Sequence, residues 1–366
     1  VLARLSTRDV RNLAPLDLEL SPAGVAVVGD NGHGKTNLLE AIAYLNLLRS
    51  MRGSRDGDVI GFGAEACLVR GQTGGPAART ITVAIDRASR SKRVTVDGVE
   101  SRRLADALGT VPSVLVSPSD VALIAGGPGE RRRYLDVLLA LTDGHYLQAL
   151  TRYRGALERR NAALRRGGGA AADEAAVWEP ALARYGAVVV VARAAWVATW
   201  GDRVAERCAA LGERQPVAVS YRSALAAVAG GGAAAVETAL GEALARRRGH
   251  DVVRGVTHDG PHRDDLVLTL DGRELRAFGS SGQQRTAAIA LRMAEAETWR
   301  AHLGAPPLFL LDDPFAELDA DRSRRILASL ESAGLGQVVL VVPRDEDIPS
   351  AFTGLERRRM RQGVLT

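Results

Sequence analysis

Several residue types are scarce in this sequence. It has two cysteines, three methionines and only 4% aromatic residues in 366 positions. Lysine occurs only at Lys35 and Lys92, so nearly all of its 48 basic side chains are arginine. Cys67 and Cys208 lie far apart and have no metal-type spacing, which argues against a disulfide scaffold or a zinc ribbon and suits a reducing compartment. With few aromatics, the core must be built mostly from Ala, Val and Leu. No apolar run approaches the length of a membrane span; the best, Ala187 to Ala192, is far too short. The first residues, Val1 to Ser6, lack the charged and apolar regions of a signal peptide. A soluble, cytoplasmic protein without a membrane partner is therefore expected. The length allows one to three domains with ample core. The net charge of +5, carried by arginine, lends weak support to a polyanionic partner and suits bidentate phosphate contacts.

The stretch that organises the chain is Gly29-Asp30-Asn31-Gly32-His33-Gly34-Lys35-Thr36. It has the P-loop form G-x-x-x-x-G-K-[ST], follows the apolar run Val25–Val28 and precedes the amphipathic run Asn37–Leu45. Glycines let backbone N–H groups curl round phosphate oxygens, and the helix that follows adds the positive end of its dipole. Lys35 is placed to reach the β- and γ-phosphates, and the Thr36 hydroxyl to ligate Mg²⁺. A plain glycine-rich turn would not need both flanks.

The rest of the chain alternates in character. Leu16, Leu18 and Leu20 alternate with acids, as in a half-buried strand. Residues 65–99 read as an antiparallel sheet with an Asp97-Gly98 hairpin turn, and Val114–Val116 as a further strand. After Gly126-Gly127-Pro128-Gly129 long helical patterns take over. Leu150, Leu157 and Leu164 recur every seven residues, as do Leu182, Val189 and Trp196, with Gly167-Gly168-Gly169 between the two runs. That predicts an antiparallel helical hairpin, its Tyr and Trp residues packed as core rather than stacking bases. Strands at 217–221, 266–270, 308–311 and 338–342, and helices at 234–249, 282–303 and 321–333, complete the reading. The predicted organisation is an α/β nucleotide-binding head, residues 1–117 and 255–366, with mixed parallel sheet and antiparallel β subdomain, split by a helical arm, residues 118–254.

Two further motifs carry chemistry. Leu308-Phe309-Leu310-Leu311 ends in Asp312-Asp313, which would bring Asp312 to Mg²⁺ and Asp313 to where a carboxylate can polarise water. Gly279-Ser280-Ser281-Gly282-Gln283-Gln284-Arg285 opens a helix, and its serine and glycine can form an anion site or a simple N-cap. Lys35 already serves the γ-phosphate, so a second anion site would suit the nucleotide of another copy.

The order of P-loop, S-x-G-Q, apolar-Asp-Asp and Glu317-Leu318-Asp319 resembles the head of ABC-type ATPases, and a large insertion between P-loop and signature resembles the SMC-like branch. The short insertion, with Gly32–Ala41, Ser117–Asp120, Gly127–Asp136, Gly260–Leu266 and Asp312–Asp319, is similar to the RecF family of recombination mediators. The resemblance implies ATP at Gly29, Asp30, Asn31, Gly32, His33, Gly34, Lys35 and Thr36, Mg²⁺ at Thr36 and Asp312, and catalysis by Asp313 as general base with Lys35. It also implies that Ser280, Gly282 and Gln283 complete the site of a second subunit, and that Asp319 belongs to a loop crossing the dimer interface. It implies an ATP-driven homodimer on duplex, gapped or junction DNA, with RecO and RecR as partners and RecA acting downstream. Two features depart from transporter ATPases: Val341-Val342-Pro343-Arg344-Asp345 offers no histidine after the last strand, which suggests slow hydrolysis, and Ser281 replaces a glycine. The glutamine-bearing loop is expected within 114–120. The arginine clusters at 102–103, 131–133, 159–160, 165–166, 246–248 and 357–359 are candidate backbone-phosphate contacts, although most such clusters are solvated faces. Two rivals remain open: a P-loop kinase with a small substrate, and an SMC-like structural tether.

Overall fold

The structure is a computed structural model that describes residues 1–167, 170–315, 320–332 and 335–366. In chain order its elements are β1 (Leu2–Arg8), β2 (Leu16–Glu19), β3 (Gly24–Val28), α1 (Lys35–Leu47), α2 (Asp56–Val59), β4 (Ala66–Thr73), β5 (Thr80–Asp86), β6 (Lys92–Val96), β7 (Val99–Glu100) and β8 (Ser113–Val116). Then come α3 (Val121–Ala125), α4 (Pro128–Thr142), α5 (Gly144–Arg166), α6 (Ala171–Ala176), α7 (Glu179–Ala210), β9 (Val217–Arg222), α8 (Ala226–Ala229) and α9 (Gly232–Arg254). The chain closes with β10 (Asp265–Leu270), β11 (Arg273–Glu274), α10 (Leu275–Phe278), α11 (Ser281–Leu303), β12 (Leu308–Asp312), α12 (Ala320–Ser332), β13 (Val338–Val342), β14 (Glu356–Arg361) and β15 (Val364–Leu365).

The chain forms two compact units. The first comprises Val1–Asp120, Ala210–Gly212 and Leu291–Thr366; the second comprises Val121–Ala209 and Glu213–Ala290. The first unit holds two sheets. One is antiparallel, β2-β1-β4-β5-β6-β7, and its alternating strands bury Leu5, Val69, Ile81, Val83 and Val94 on one face. The other, β15-β14-β3-β13-β12-β8, is parallel from β14 through β8. Strands β3 and β13 are buried along their whole length, as a parallel sheet requires. Helix α1 contributes Leu38, Leu39, Ile42, Tyr44 and Leu45 to the core of this unit, all fully buried. The C-terminal hairpin β14–β15, not anticipated from its arginine-rich sequence, extends the parallel sheet beside β3.

The second unit is more than the helical hairpin the heptads predict. Helices α5, α7 and α9 share one core through Tyr153, Ala156, Leu182, Ala187, Val190, Val236, Leu240 and Leu244. Gly186 permits this closeness, since a Cβ there would lie 2.7 Å from Leu240 and 3.1 Å from Tyr153. The third helix is needed because the apolar stripes of the first two are too wide for one seam. Tyr146, Tyr153 and Trp196 are buried. The unit also contains the sheet β11-β10-β9, whose β9–β10 pairing runs from Asp265↔Arg222 to Leu270↔Val217. This long-range pairing shifts the division from the expected 254 to 290, because β10 takes the following residues with it. The stretch Ala171–Ala210 is long and apolar enough by composition to cross a membrane, contrary to the expectation that no segment is. The heptad positions of that stretch are core positions here, and Leu182, Val189 and Val190 are fully covered by protein.

Candidate nucleotide-binding site

In the parallel sheet, β3 leads into the P-loop and β12 into the aspartate pair, with β13 between them. The registers Val341↔Asp312 and Val342↔Val28 bring Gly29 and Asp312 to the same strand-end edge, where ligands of α/β sheets bind. Asp313 donates its N–H to Val341 O (2.9 Å) and Gly29 its N–H to Val342 O (3.2 Å), so both loops are anchored on the strand between them. Strand β8 lies on the other side of β12, with Leu311↔Val116, and delivers Ser117 to the same edge.

The P-loop has the backbone its glycines allow. Gly32 and Gly34 have φ of 82° and 106°, and Gly34 is the N-cap of α1. A side chain at Gly34 would also press on Asn12 Oδ1 at 3.0 Å. Helix α1 starts at Lys35 with no side-chain cap, leaving its first N–H groups directed at the loop. Lys35 Nζ donates to Asp30 O (2.9 Å) and to Gly29 O, so the ammonium is held by the loop carbonyls. Burial pushes the Lys35 ammonium below its usual range, opposed by Asp312, Asp313 and Asp30.

Thr36 Oγ1 donates to Asp312 Oδ1 at 3.3 Å, joining the two expected Mg²⁺ ligands. A hydroxyl and a carboxylate at the foot of a phosphate loop are oxygen donors of the kind Mg²⁺ takes. Burial raises the Asp312 carboxyl above its ordinary value, against the pull of Thr36, Arg52 and Lys35. Asp313 adopts φ of 44°, a left-handed conformation uncommon outside glycine, which turns the chain sharply after the strand.

Ser280, Gly282 and Gln283 belong to the second unit. Ser280 Oγ accepts the Gln283 N–H (3.3 Å) and the Gln283 side chain accepts the Ser280 N–H (2.9 Å), a reciprocal capping box at the start of α11. Ser280 and Ser281 are exposed, and so is Phe278. Glu317, Leu318 and Asp319 lie outside the described residues. The segment expected to hold a glutamine loop carries Ser117-Pro118-Ser119-Asp120 after β8.

Sequence reasoning missed part of the surroundings. Asn12 donates to Gly32 O (3.3 Å) and accepts from Asn37 (2.7 Å), while Arg52 donates to Asn37 Oδ1 (2.8 Å) and acts electrostatically on Asp312. Fully buried Glu40 is gripped by Arg11 at 2.9 and 3.0 Å. Burial alone would raise its pKa, but Arg11 and Ser50 hold the carboxyl below its usual range. Gly363 donates to His33 O (2.8 Å), so the C-terminal hairpin braces the P-loop. The arginine run 49–55 was the available signal for Arg52; nothing local marks Gly363.

Most arginine clusters have internal partners. Arg131 is buried and bidentate to Asp265, and Arg160 is fully buried on Asp251, Glu179 and Thr257. Arg159 lies over the Trp178 ring at 5.0 Å, Arg248 pairs with Glu179, and Arg357 and Arg359 pair with Asp345. Arg102, Arg103 and Arg133 are exposed. His250, Asp251 and His258 cluster in the second unit, but Asp251 gives one oxygen to Arg160 and the other to His258, so its carboxylate is already neutralised.

A phosphate loop after one parallel strand, an aspartate pair after the strand two places along the sheet, and the Ser280-Ser281-Gly282-Gln283 start of α11 are together the parts of an ABC-type P-loop ATPase. The chain belongs to the RecF/RecN/SMC family, on its RecF branch: the model of the RecF/RecN/SMC N-terminal domain matches residues 1–364. The chain is 41% identical over 331 residues to the DNA replication and repair protein RecF of Anaeromyxobacter sp. (strain Fw109-5), covering 90% of this chain and 89% of that protein. It superposes on the recombination mediator protein RecF with ATPrS, of the RecFOR pathway, with a TM-score of 0.90 at 27% identity, covering 100% of this chain and 97% of the other. The corresponding RecF–ATP structure gives 0.87 at 28% identity, covering 100% and 96%.

Proposed function

We propose that this chain is an ATP-dependent DNA clamp of recombinational repair. Two copies sandwich two ATP molecules, each copy's Ser280, Gly282 and Gln283 closing the nucleotide site of the other, and Asp319 crossing the interface. The reading rests above all on the Thr36–Asp312 pair at the mouth of the P-loop, with an exposed serine-capped helix start in the other unit. The RecF relatives with ATP and ATPrS support the same nucleotide.

In this mechanism the loop N–H groups and Lys35 hold the phosphates, and Thr36 and Asp312 would hold Mg²⁺, which would supply neutralising charge to the phosphate oxygens. Lys35 leaves the carbonyls of Gly29 and Asp30 for the phosphates; its burial lowers the cost of losing water there. Asp313 takes a proton from the attacking water. Without a histidine after β13, turnover is slow and DNA-stimulated, and ATP acts as a switch rather than a fuel. Joining two copies merges two weak basic surfaces into one, so DNA affinity rises by avidity. Duplex, gapped or junction DNA is the ligand, and RecO and RecR are the partners through which RecA is loaded.

Sedimentation with and without ATP, and with and without duplex DNA, tests this for the wild type and Asp313→Asn. The expectation is a monomer alone, a dimer with ATP, and a longer-lived dimer for the variant. A protein that stays monomeric at saturating ATP and Mg²⁺ yet binds duplex at full strength overturns it. A small-molecule kinase would tolerate Ser280→Arg, whereas a nucleotide sandwich would not. A tether would lose its function on deletion of residues 160–176 while dimerisation and DNA binding persisted.

A further inference from the structure

The turn that closes the hairpin β14–β15 sits against the phosphate loop. Gln362 and Gly363 have positive φ, 49° and 83°, between the paired residues Arg361 and Val364. This is the two-residue turn of a tight β-hairpin, whose twist matches that of its strands. Strand β14 runs parallel to β3 with Arg359↔Val28, so the turn is carried past Gly29 to the edge where the phosphate loop leaves the sheet. All of these residues lie in the first unit.

Gly363 is buried and makes its contacts through backbone alone. Its N–H donates to His33 O (2.8 Å), and its carbonyl accepts the Ala14 N–H (2.9 Å). A Cβ on Gly363 would lie 1.9 Å from Asn12 O, and a Cβ on Gly34 would lie 3.5 Å from Gly363 Cα. The turn thus ties the β1–β2 connection to the phosphate loop, with room only for glycine. The peptide between His33 and Gly34 is planar and trans, so its C=O and N–H point in opposite directions. Gly363 holds the carbonyl on the hairpin side, and the Gly34 N–H therefore points away from the hairpin. Among the described residues that N–H has no hydrogen-bond partner. Gly34 lacks a Cβ and offers this peptide little resistance to rotation, so its orientation depends on what holds the carbonyl.

We propose that Gly363 is a positioning residue of the nucleotide site: by fixing the His33 carbonyl it presets the Gly34 N–H as a donor to a phosphate of the bound nucleotide. The inference rests on ATP binding at the phosphate loop, as read above. Gly363 acts through Gly34, not on the nucleotide. The gain is preorganisation, since the loop meets the phosphates with this donor already oriented and no peptide has to turn. The Gln362 side chain plays no part.

The test uses the full chain with Gly363→Ala, Gln362→Pro and Gln362→Gly, and Lys35→Ala as control. Binding of fluorescent ATP and ADP is measured at dilute protein, well below the melting temperature, which is recorded for each variant. Gly363→Ala drives the new methyl into Asn12 O, and Gln362→Pro cannot take the positive φ of the turn, so each moves the Gly363 N–H. Both weaken ATP and ADP by the same factor, about tenfold or more, because the loop N–H groups hold phosphates that the two nucleotides share. Gln362→Gly, which keeps the turn and its N–H, binds both within about twofold of the wild type. Gln362 is exposed and β14 stays paired with β3, so Gln362→Pro carries the test should Gly363→Ala fail to fold. A folded Gly363→Ala or Gln362→Pro that melts earlier yet binds ATP like the wild type shows the turn to be scaffolding only, and the proposal fails. An equal loss in Gln362→Gly also overturns it, since the side chain is then responsible. If Lys35→Ala binds ATP as tightly as the wild type, the nucleotide reading itself falls. If Lys35→Ala loses affinity and the turn variants do not, only this inference does.

Discussion

Arg131 decides whether the 131–133 cluster is a DNA contact or a structural clasp, and the two answers predict opposite measurements. Its guanidinium donates to both oxygens of Asp265 at 2.8 Å and to the carbonyls of Leu123, Ile124 and Gly126 at 3.4, 3.2 and 2.9 Å. The side chain is 4% exposed and that of Asp265 is 10% exposed. Arg131→Ala therefore leaves a buried carboxylate and three carbonyls without their donor. Breaking a buried pair by removing one partner costs about 3–5 kcal/mol. The second unit has about 170 residues, for which each kcal/mol moves the melting temperature by roughly 2–4 °C. A loss of about 6–20 °C is expected by differential scanning calorimetry, concentrated in the transition of that unit. Removing both charges, Arg131→Met with Asp265→Leu, should recover much of it, because a buried ion pair and a packed apolar pair are close in stability. The folded fraction of Arg131→Ala should keep the wild-type salt dependence of DNA binding. Exposed Arg133→Ala should do the reverse, leaving the melting temperature unchanged and reducing the slope of log K against log salt by up to about 0.9 if it meets a phosphate. A melting loss under about 2 °C for Arg131→Ala, or a flattened salt slope, would refute the clasp.

Other expectations are as direct. Asp313→Asn should cut ATP hydrolysis by about 10²–10⁴-fold in a phosphate-release assay while ATP binding persists, the usual scale for a lost general base. Lys35→Ala should weaken fluorescent-ATP binding by about ten- to a hundredfold, as expected for hydrogen bonds to a charged group. His262 donates from Nε2 to Thr257 O and accepts the Tyr153 hydroxyl at Nδ1, and burial pushes its pKa down to about 4. The unfolded chain then binds the proton more readily between about pH 6.5 and 4, so stability of the second unit should be full above pH 6.5 and fall as pH drops through that window. The loss has an upper bound of about 3 kcal/mol, and His262→Gln should flatten this part of a pH–stability curve.

The local part of the fold was legible because local physics produces it. The P-loop announces itself through Gly32, Gly34 and Lys35, since only that spacing gives a left-handed turn, an open helix start and a cation at once. Strand β2 and strands β4 to β6 follow from alternation, and β12 and β13 from continuous apolar runs. The arm was half-read. The heptads of α5 and α7 showed two helices, but not that α9 would share their core, because a stripe's width does not name its partner. Asp265–Leu270 reads as a strand from its sequence, but its partner does not, because nothing local in it points to Val217–Arg222. The hairpin β14–β15 is hidden in the sequence beneath Arg357, Arg358 and Arg359, whose charges mask a strand paired with β3 on one side and β15 on the other.

From the chain alone came the nucleotide loop, the aspartate pair, the serine-glycine helix start and the order in which they follow one another. These are short-range patterns, each readable within about ten residues, and order along a chain needs no folding. Tertiary structure alone decided that β13 would lie between Gly29 and Asp312, that Arg131 and Arg160 would be enclosed rather than presented to solvent, and that Asp120 would meet Arg292 from 172 residues away. Such pairings depend on which surfaces are brought together when a core closes. An arginine in a sequence carries its charge openly, but whether it faces a phosphate or a buried carboxylate is settled only by what surrounds it.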